Sequence, residues 1–543
     1  MSTLGRYFHT VRYLRPIQVV GRVRHMLVRP RADLRVPPPV RQLGKPYIEP
    51  IAPKPSLVAP ERFRFLNVER SCPNSPDWDP PDAARLWTYN LHYFDDLNAL
   101  HASTRKAWHE ALLRRWVAEN PPGLGPGWEP YPVSRRIVNW IKWTLAGNVL
   151  PPECHASLAI QTRWLAGKLE YHILGNHLFA NAKALVYAGV YFSGEESGSW
   201  YSCGMDIVAR ELQEQVLPDG GHFERSTMYH AAALEDLLDL INVLQACGRD
   251  VPATWRSIAD RMHRWLRAMS HPDGQIAFFN DTAFDIAPTL ADLERYTARL
   301  GLQVAQDAAE PLVVLSDSGY VRATIGAARL ICDCAPVGPD YLPGHGHADT
   351  LSFEMSLGDR RVLVNSGTSE YGSGVERLRQ RGTAAHNCVV IDGQDSSEVW
   401  GGFRVARRAR ARLVGAACAH DVATVEASHD GYRRLPGRNE HIRCWALDPH
   451  SLTIEDRIEG AFHTAEAWFH IPPDIEVRHS GEAEVLLRWS AHGSARLTFA
   501  GATVRVVDDT WHPRFGVSLA TRAVVALFSG ATLTTRLCWE SAG

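Results

Sequence analysis

The spacing of hydrophobic residues predicts helices over the first half of the chain. From about Leu86 onward, apolar side chains recur three and four residues apart, the period of a helix that buries one face. Loops rich in glycine, proline and aspartate separate these stripes, so the pattern predicts a run of helical hairpins, as in an α-toroid or α-solenoid. The clearest stripes are Trp108, Leu112 and Trp116, and Leu234, Leu237, Leu238, Ile241 and Leu244.

The pattern changes after about Glu310, where short apolar or alternating runs are separated by turn residues. In the run SLTIEDRIEG, Leu452, Ile454 and Ile458 alternate with polar neighbours. A period of two is typical of strands that bury one face, so this half predicts an antiparallel β-domain built as a sandwich. We therefore predict an α+β multidomain fold: an extension over residues 1–85, a helical domain over 86–310 and the β-domain over 311–543. The default place for a site is the cleft between the two domains.

The N-terminal extension has a different texture from both domains. Residues 30–85 are rich in proline and poor in periodicity, which predicts an extended segment on the surface. The preceding stretch, MSTLGRYFHTVRYLRPIQVVGRVRHMLVRP, is basic and lacks the apolar core and cleavage site of a secretory signal. It has two interpretations: an amphipathic helix on a membrane surface, or a helix packed on the body with solvated arginines. The cytoplasm is the expected location, with the periplasm as the alternative.

Composition narrows the classes of partner. The formal net charge of −2 gives no reason to expect nucleic acid, and no apolar run is long enough to span a membrane. The ten cysteines contain no CxxC pair, which is typical of reduced, buried thiols. The chain has 17 tryptophans, a residue type that stacks well on sugar rings, although most tryptophans are expected in the core.

Four polar clusters interrupt the pattern of core and loops. Each one alone has a structural interpretation, such as a helix brace or a tyrosine with a satisfied hydroxyl group. Together they supply amide, imidazole, phenol and guanidinium groups with few paired carboxylates, a combination that suits a polyanionic sugar. Their candidate residues are Trp128, Tyr131, Arg135 and Asn139; Asn176 and His177; Glu224, Arg225 and Tyr229; and His345 and His347 in the stretch GHGHADTLSF.

The order and spacing of these motifs resemble the heparinase II/III family of polysaccharide lyases and the alginate lyases that share their architecture. The resemblance spans nearly the whole chain and rests on LWTYNLHYFDDL, GNHLFANAKAL, ERSTMYH, GHGHADTLSFEM and RGTAAHNCVVIDGQDSSEVW. It implies an incomplete α/α toroid followed by an antiparallel β-sandwich. It also implies β-elimination at a uronic acid, in which a base removes the C5 proton and the 4-linked oxygen leaves.

The resemblance also implies roles for four catalytic residues. Asn176 and His177 match the pair that neutralises the uronate carboxylate, which makes the C5 proton acidic. Tyr229 matches the tyrosine that acts as base, as acid, or as both in turn, and a nearby cation such as Arg225 is expected to lower its pKa. His345 matches a histidine that the β-domain brings to the cleft, to share proton transfer or hold the carboxylate. We expect Gly344 and Gly346 to bend the backbone so that His345 and His347 face different ways.

A metal site is a further implication. Some family members bind a divalent ion, zinc or calcium, that fixes the loop carrying the histidine of the cleft. The ligands of that ion match His347, Asn365 and His386 of this chain. An aspartate is usual where this chain has Asn365, and an amide is a weaker ligand for a dication. No organic cofactor is expected.

The predicted partner is an acidic polysaccharide or oligosaccharide, one candidate being a bacterium's own exopolysaccharide. Arg404 belongs to a local arginine cluster that either meets a polyuronate chain or forms a solvated β face, where Arg404, Arg408 and Arg410 would share one side of a strand. Two other functions stay open: a glycoside hydrolase, which needs two facing carboxylates, and a non-catalytic polysaccharide-binding protein. The oligomeric state is not predicted.

Overall fold

The computed structural model describes residues 3–28, 31–42, 44–303, 310–490 and 493–540. The extension begins with two helices, α1 (Thr3–Val11) and α2 (Pro16–Leu27). A three-stranded antiparallel sheet follows, formed by β1 (Leu57–Ala59), β2 (Arg62–Phe65) and β3 (Val68–Ser71). The extended segment predicted for residues 30–85 thus contains a small sheet, because Phe63 and Phe65 alternate into the core. The predicted outer limits at residues 1 and 543 lie outside the described residues.

Nine helices form the first domain within the described residues. The predicted apolar stripe that begins at Leu234 is confirmed, because Leu234, Leu238 and Leu244 are fully buried on the helix Thr227–Ala246. Their apolar faces share one large core with the β1–β3 sheet. The helices are α3 (Arg85–Tyr93), α4 (Lys106–Glu119), α5 (Pro130–Leu145), α6 (Pro152–Ala166), α7 (Gly175–Tyr191), α8 (Glu195–Gln215), α9 (Thr227–Ala246), α10 (Ala253–Ala268) and α11 (Leu290–Arg299).

Antiparallel sheets form the second domain. A five-stranded sheet runs in chain order through β4 (Leu312–Leu315), β5 (Tyr320–Ile325), β6 (Ala328–Asp333), β7 (Phe353–Leu357) and β8 (Arg360–Leu363). A short helix, α12 (Val375–Arg381), follows. The remaining strands are β9 (Val389–Ile391), β10 (Val399–Trp400), β11 (Arg404–Val405), β12 (Ala411–Ala419), β13 (Val422–His429), β14 (Glu440–Leu447), β15 (Ser451–Glu459), β16 (Ala465–Ile471), β17 (Glu476–Gly481), β18 (Glu484–Arg488), β19 (Ser494–Ala500), β20 (Thr503–Trp511), β21 (Leu519–Phe528) and β22 (Thr532–Trp539).

The strands after β8 form two large sheets and one hairpin. The eight-stranded sheet has the order β12-β13-β14-β15-β22-β19-β18-β17, the four-stranded sheet has the order β20-β21-β16-β9, and β10 pairs with β11. All three large sheets of this domain contribute to one apolar core. The alternation predicted in β15 is observed, since Leu452, Ile454 and Ile458 are buried while the residues facing outward between them are polar.

A third apolar cluster joins the two domains. Trp265 and Met269 at the end of α10 pack with Tyr320 and Ile331 from the neighbouring strands β5 and β6. This contact packs the β-domain against the helical domain. The predicted fold class, helices followed by antiparallel sheets, is confirmed.

Candidate active site

The helical domain approaches the cleft with the first turn of α7. Leu174 and Gly175 both have positive φ angles, of 69° and 57°. A Cβ at Gly175 would lie 2.4 Å from Cδ2 of Leu342, so any other residue would have to displace that side chain and adopt a strained backbone. Asn176 and His177 therefore lie at the start of the helix, where free backbone N–H groups favour anions, rather than in its interior.

His177 is held by a carboxylate behind it. Its Nδ1 lies 3.0 Å from Oε1 of Glu170, and its ring lies 4.6 Å from the ring of Tyr131 on α5. Burial opposes protonation, but the charges of Glu170 and Glu224 outweigh it and raise the pKa of His177. The amide of Asn176 makes no hydrogen bond within the described part of the chain and is partly exposed. An unpaired amide beside an imidazole that tends to be cationic is suited to a carboxylate.

Tyr229 projects from the first turn of α9 and meets two residues of the β-domain. Its hydroxyl group lies 2.9 Å from that of Tyr371, and its ring lies 4.0 Å from the ring of His345. Burial, together with the nearby Tyr371 and Asp281, raises the pKa of Tyr229 well above its usual range. The expectation that Arg225 lowers this pKa is wrong. The Arg225 guanidinium turns away and donates to the carbonyl oxygens of Ser318 and Phe223.

The two histidines of GHGHADTLSF converge on one carboxylate. Nδ1 of His345 lies 2.9 Å from Oδ2 of Asp281, and Nε2 of His347 lies 2.8 Å from Oδ1 of the same residue. The two rings reach opposite oxygens of Asp281 and differ in their other neighbours, since His345 packs on Tyr229 and His347 contacts His386. The His345 side chain is 14% exposed at the cleft, whereas that of His347 is fully buried. Gly346 is required by packing, since a side chain there would lie 2.6 Å from Val337.

Asp281 is the centre of a buried charge network. The guanidinium of Arg377 on α12 contacts both of its oxygens, one at 2.7 Å. Burial alone would favour the protonated acid, but Arg377 and the two histidines hold the pKa of Asp281 well below its usual range. An ionised Asp281 accepts a hydrogen from Nδ1 of His345. This bond leaves the Nε2 lone pair of a neutral His345 free toward the cleft.

Glu224 is a buried carboxyl group without a hydrogen-bond partner. Neither of its oxygens is bonded within the described residues, although the residue is only 2% exposed. Oε1 lies 3.1 Å from where a Gly175 side chain would begin, so the group points at the start of α7. Burial raises its pKa, with His345 and His177 opposing the shift. An unsatisfied group of this kind is costly in a folded protein and is typical of a site that awaits a ligand.

Two of the predicted metal ligands, His347 and His386, contact each other, and the third, Asn365, is bonded to backbone groups. Nδ1 of His347 lies 3.2 Å from Nε2 of His386, so both nitrogens of His347 are engaged. The Asn365 amide donates to the Phe278 carbonyl at 2.7 Å, and its oxygen accepts the Asn387 N–H at 3.1 Å. Across the described ranges, no group of three or more His, Cys, Asp or Glu side chains is arranged to hold an ion. A set completed by an asparagine amide is of another kind, so the zinc or calcium ion predicted at His347, Asn365 and His386 stays a prediction.

Two of the predicted substrate contacts are corrected to structural roles. The Trp128 indole is buried against Trp116 and Trp164, and its N–H donates to the Asn120 carbonyl. Asn139 is buried as well, and its amide donates to the carbonyl oxygen of Tyr93 and to Asp95. Asn139 faces inward on α5, whereas Trp128 lies in the turn just before that helix and packs into the same core.

Two neighbouring residues on the same helix stay near the cleft. The Tyr131 ring packs on His177, and Arg135 pairs with Asp95 at 3.1 Å while its side chain remains 36% exposed. Their prediction as substrate contacts stands as a prediction. Arg225, in contrast, belongs to the domain junction.

The arginine cluster is not a continuous strand, because β11 contains only two residues. Arg404 stacks on Trp400 and Tyr7, so it contacts the N-terminal helix α1 rather than the cleft. Arg408 is buried against Asp340, and Arg410 pairs with the same carboxylate. The prediction that Arg404, Arg408 and Arg410 share one face of a strand is therefore wrong.

The sequence reasoning missed three residues that shape the site. Glu170, Tyr371 and Arg377 contact His177, Tyr229 and Asp281 respectively. Tyr371 lies in VNSGTSEYG, a polar stretch that follows the histidine motif. The polarity of that stretch was the sequence signal that could have identified Tyr371. Asp281 was available from the sequence only as one of three carboxylates for a hydrolase, with Glu129 and Glu224, since a single aspartate in a loop is ordinary in any sequence.

Comparisons with known proteins agree with this architecture. Two family models match the chain: "Heparinase II/III N-terminus" at residues 91–297 and "Heparinase II/III-like, C-terminal" at residues 307–540. FtsZ-localized protein C of Caulobacter vibrioides is 28% identical over 411 residues, which are 71% of this chain and 66% of that protein. A heparin-sulfate lyase of Bacteroides stercoris is 24% identical over 299 residues, 49% of this chain and 44% of that protein.

Solved structures share the fold. The crystal structure of heparinase III superposes with a TM-score of 0.72 at 19% identity, over 86% of this chain and 79% of that one. The heparan sulfate lyase HepC mutant from Pedobacter heparinus gives a TM-score of 0.61 at 17% identity, over 89% of this chain and 81% of that one. The alignments to the curated relatives span 66% and 44% of those relatives' lengths.

Proposed function

This chain belongs to the heparinase II/III family, and we propose that it is a lyase that cleaves a uronic-acid-containing polysaccharide by β-elimination. One observation carries the proposal. Tyr229 and His345 pack ring on ring, and His345 and His177 at the start of α7, beside Asn176, both act electrostatically on the buried Glu224, which has no hydrogen-bond partner in the described part of the chain. Residues from both domains thus supply carboxylate binding and proton transfer in a single cleft.

The first requirement of the reaction is a neutralised carboxylate. The C5 proton of a uronate becomes acidic only when negative charge on the neighbouring carboxylate is balanced, because removal of that proton adds a second charge. The Asn176 amide and a protonated His177 can each donate to one carboxylate oxygen, and Glu170 keeps His177 in position. The backbone N–H groups at the start of α7 favour the same charge.

The second requirement is a pair of proton carriers. His345 accepts the C5 proton at Nε2, because its Nδ1–H is committed to Asp281. The raised pKa of Tyr229 favours its neutral phenol, which donates a proton to the departing 4-linked oxygen. The family resemblance leaves open a second scheme in which Tyr229 makes both transfers in turn, and separate replacements of Tyr229 and His345 distinguish the two.

The structure gives little support to a glycoside hydrolase. That chemistry needs two carboxyl groups on opposite sides of one bond. Asp281 is engaged by Arg377, His345 and His347, and Glu129 binds Arg85, so neither is free to attack or to protonate. Among these three carboxyl groups, Glu224 is the one that makes no hydrogen bond to the described residues.

The relatives support an acidic polysaccharide as the substrate class. Three of the curated relatives are heparin-sulfate lyases. The name of FtsZ-localized protein C, in contrast, specifies no lyase activity, so a non-catalytic role is the second candidate function. The presence of all four predicted catalytic residues in one cleft favours catalysis for this chain.

The test is a panel of acidic polysaccharides, sulfated and unsulfated, assayed for the ultraviolet absorbance of the new C4–C5 double bond. A chelator arm of the same assay tests whether a metal is needed. We expect unsaturated products from at least one uronate polymer. Cleavage products without that double bond would indicate a hydrolase instead.

A matched pair of variants tests the site. Tyr229→Phe is expected to lower kcat by about 10²–10⁴, the usual contribution of a positioned acid or base, while polymer binding persists. Tyr432→Phe removes another buried hydroxyl group, one that donates to the Val389 carbonyl far from the cleft, and is expected to leave kcat unchanged. Full activity in Tyr229→Phe would contradict the proposed mechanism.

A further inference from the structure

The two N-terminal helices pack on the body by their polar side and expose their apolar side. On α2, Gln18, Gly21 and His25 face inward: the Gln18 amide donates to the Tyr341 carbonyl at 3.2 Å, and the His25 ring stacks at 4.1 Å on that of His172. A side chain at Gly21 would lie 2.8 Å from the His172 backbone nitrogen, so the helix lies close on this face. In a helix that merely covers a protein core, the apolar side faces inward.

The outward side of α2 is a continuous apolar face. At about 100° per residue, its members span roughly 120° of the helix surface, with Arg22 and Arg24 at its two edges. Leu27 is 76% exposed, Met26 69% and Val20 66%. The face consists of Val19, Val20, Val23, Met26 and Leu27.

Helix α1 repeats the arrangement and has no buried residue within its described length. Leu4, Phe8 and Val11 lie three and four positions apart and are exposed, Leu4 by 82%, while Tyr7 at the edge of this face packs on Trp400 at 4.8 Å. The inner side of α1 rests on the β10–β11 hairpin, where the Trp400 indole donates to the Thr10 hydroxyl at 3.1 Å.

The charge around these faces has one sign. Residues 1–32 contain seven arginines and no aspartate or glutamate, whereas the whole chain has a formal net charge of −2. A basic helix with a wide apolar face is the pattern of a peripheral segment that lies in the headgroup region of an anionic bilayer. None of the helices in the described ranges has the length and apolar character needed to cross a bilayer.

We propose that α1 and α2 form a docking surface for an anionic membrane, with the apolar faces inserted among the lipids and the arginines at the headgroups. The inference is independent of the proposed lyase activity. It has a geometric consequence for the cleft, because both helices contact its rim. Helix α2 contacts Tyr341, and the next residue, Leu342, packs on Gly175 at the start of α7. Helix α1 contacts the β10–β11 hairpin, and Phe403 in that hairpin contacts His345. A docked protein would therefore hold its cleft beside the bilayer.

The test is flotation of the full chain with phosphatidylcholine vesicles that contain or lack phosphatidylglycerol, without polysaccharide present. We expect binding to the anionic vesicles and weaker binding as salt is raised. The double variant Val20→Glu/Leu27→Glu should partition roughly a hundredfold more weakly, since two buried apolar side chains are lost. The matched control, Leu124→Glu/Val149→Glu, alters two side chains of similar exposure elsewhere and should bind like the unchanged protein.

Three results would overturn the proposal. One is no binding of the unchanged protein to either vesicle, and another is equal loss in the control variant. The third is a concentration-dependent dimer, measured by light scattering, in a protein that does not bind vesicles. If Val20→Glu/Leu27→Glu abolished that dimer, the surface would belong to a second copy of the chain. Activity on soluble polymer is expected to be the same in all these variants, so failure of docking is separable from failure of the lyase proposal.

Discussion

Replacing Asp281 by asparagine tests the network that orients His345. The substitution keeps the shape of the side chain and removes its charge. In the unchanged protein the carboxylate accepts hydrogen bonds from Arg377, His345 and His347, and both Asp281 and Arg377 are fully buried. The asparagine amide nitrogen would face at least one group that is itself a donor.

The expected loss of stability follows from the buried ion pair. Removing one partner of such a pair leaves an uncompensated charge and costs about 3–5 kcal/mol. That is a large fraction of the roughly 5–15 kcal/mol that stabilises a typical domain. The low pKa of Asp281 means that its stabilisation is present above the unfolded pKa near ~3.9 and is lost only as pH falls through the folded value. Denaturant unfolding at neutral pH therefore measures the full effect.

The expected loss of activity follows from the tautomer of His345. An amide N–H at residue 281 would donate to Nδ1, shift the imidazole hydrogen to Nε2 and remove the lone pair that accepts the C5 proton. We expect kcat to fall by about 10²–10⁴, the contribution of a general base.

A second variant separates the two effects. Asp281→Asn/Arg377→Met removes both charges, and replacement of a whole buried pair by apolar groups is often neutral for stability. We expect the double variant to regain most of the free energy of unfolding while kcat stays low. If kcat returned together with stability, Asp281 would be purely structural and the orienting role of its carboxylate would be refuted.

Two further predictions concern the carboxylate-binding side of the cleft. Glu224→Ala should raise KM by about 10–100-fold through loss of one hydrogen bond to a charged group. Glu224→Gln keeps a hydrogen-bonding group of the same shape and should retain activity within about threefold; an inactive Glu224→Gln variant would show that the ionised carboxylate is required. Because its pKa is raised in the folded state, Glu224 disfavours folding at alkaline pH, and Glu224→Gln should be the more stable protein there by thermal unfolding. The raised pKa of His177 predicts that substrate binding weakens as pH rises through that value, with KM increasing more than kcat changes. In His177→Gln this alkaline rise in KM should disappear, and a retained rise would assign it to another group.

Much of the fold was predictable because periodicity reports burial directly. The stripe on α9 and the alternation in β15 are set by backbone geometry, which repeats every 3.6 residues in a helix and every two in a strand. The sequence reasoning failed at the start of α5, where Trp128 in the preceding turn and Asn139 on the helix were predicted to bind sugar but are buried inside the helical domain. A polar or aromatic side chain has the same sequence signal in both roles, since only its neighbours differ.

The orientation of the N-terminal helices was left open for the same reason. A basic amphipathic pattern predicts a helix with two unlike faces, but not which face meets the body of the protein. Gly21 and Gln18 decide the matter through their contacts with His172 and Tyr341, which belong to distant segments.

By itself, the sequence determined the two-domain order, the helical and strand periods, and the motif residues Asn176, His177, Tyr229 and His345. Tertiary structure alone decided the partners of those residues. Asp281 and Arg377 are 96 positions apart, and Tyr229 and Tyr371 are 142 apart, yet each pair is in hydrogen-bond contact. Local patterns follow from the backbone of neighbouring residues, whereas charge pairing and pKa values depend on which distant groups the packing brings within a few ångströms and shields from water.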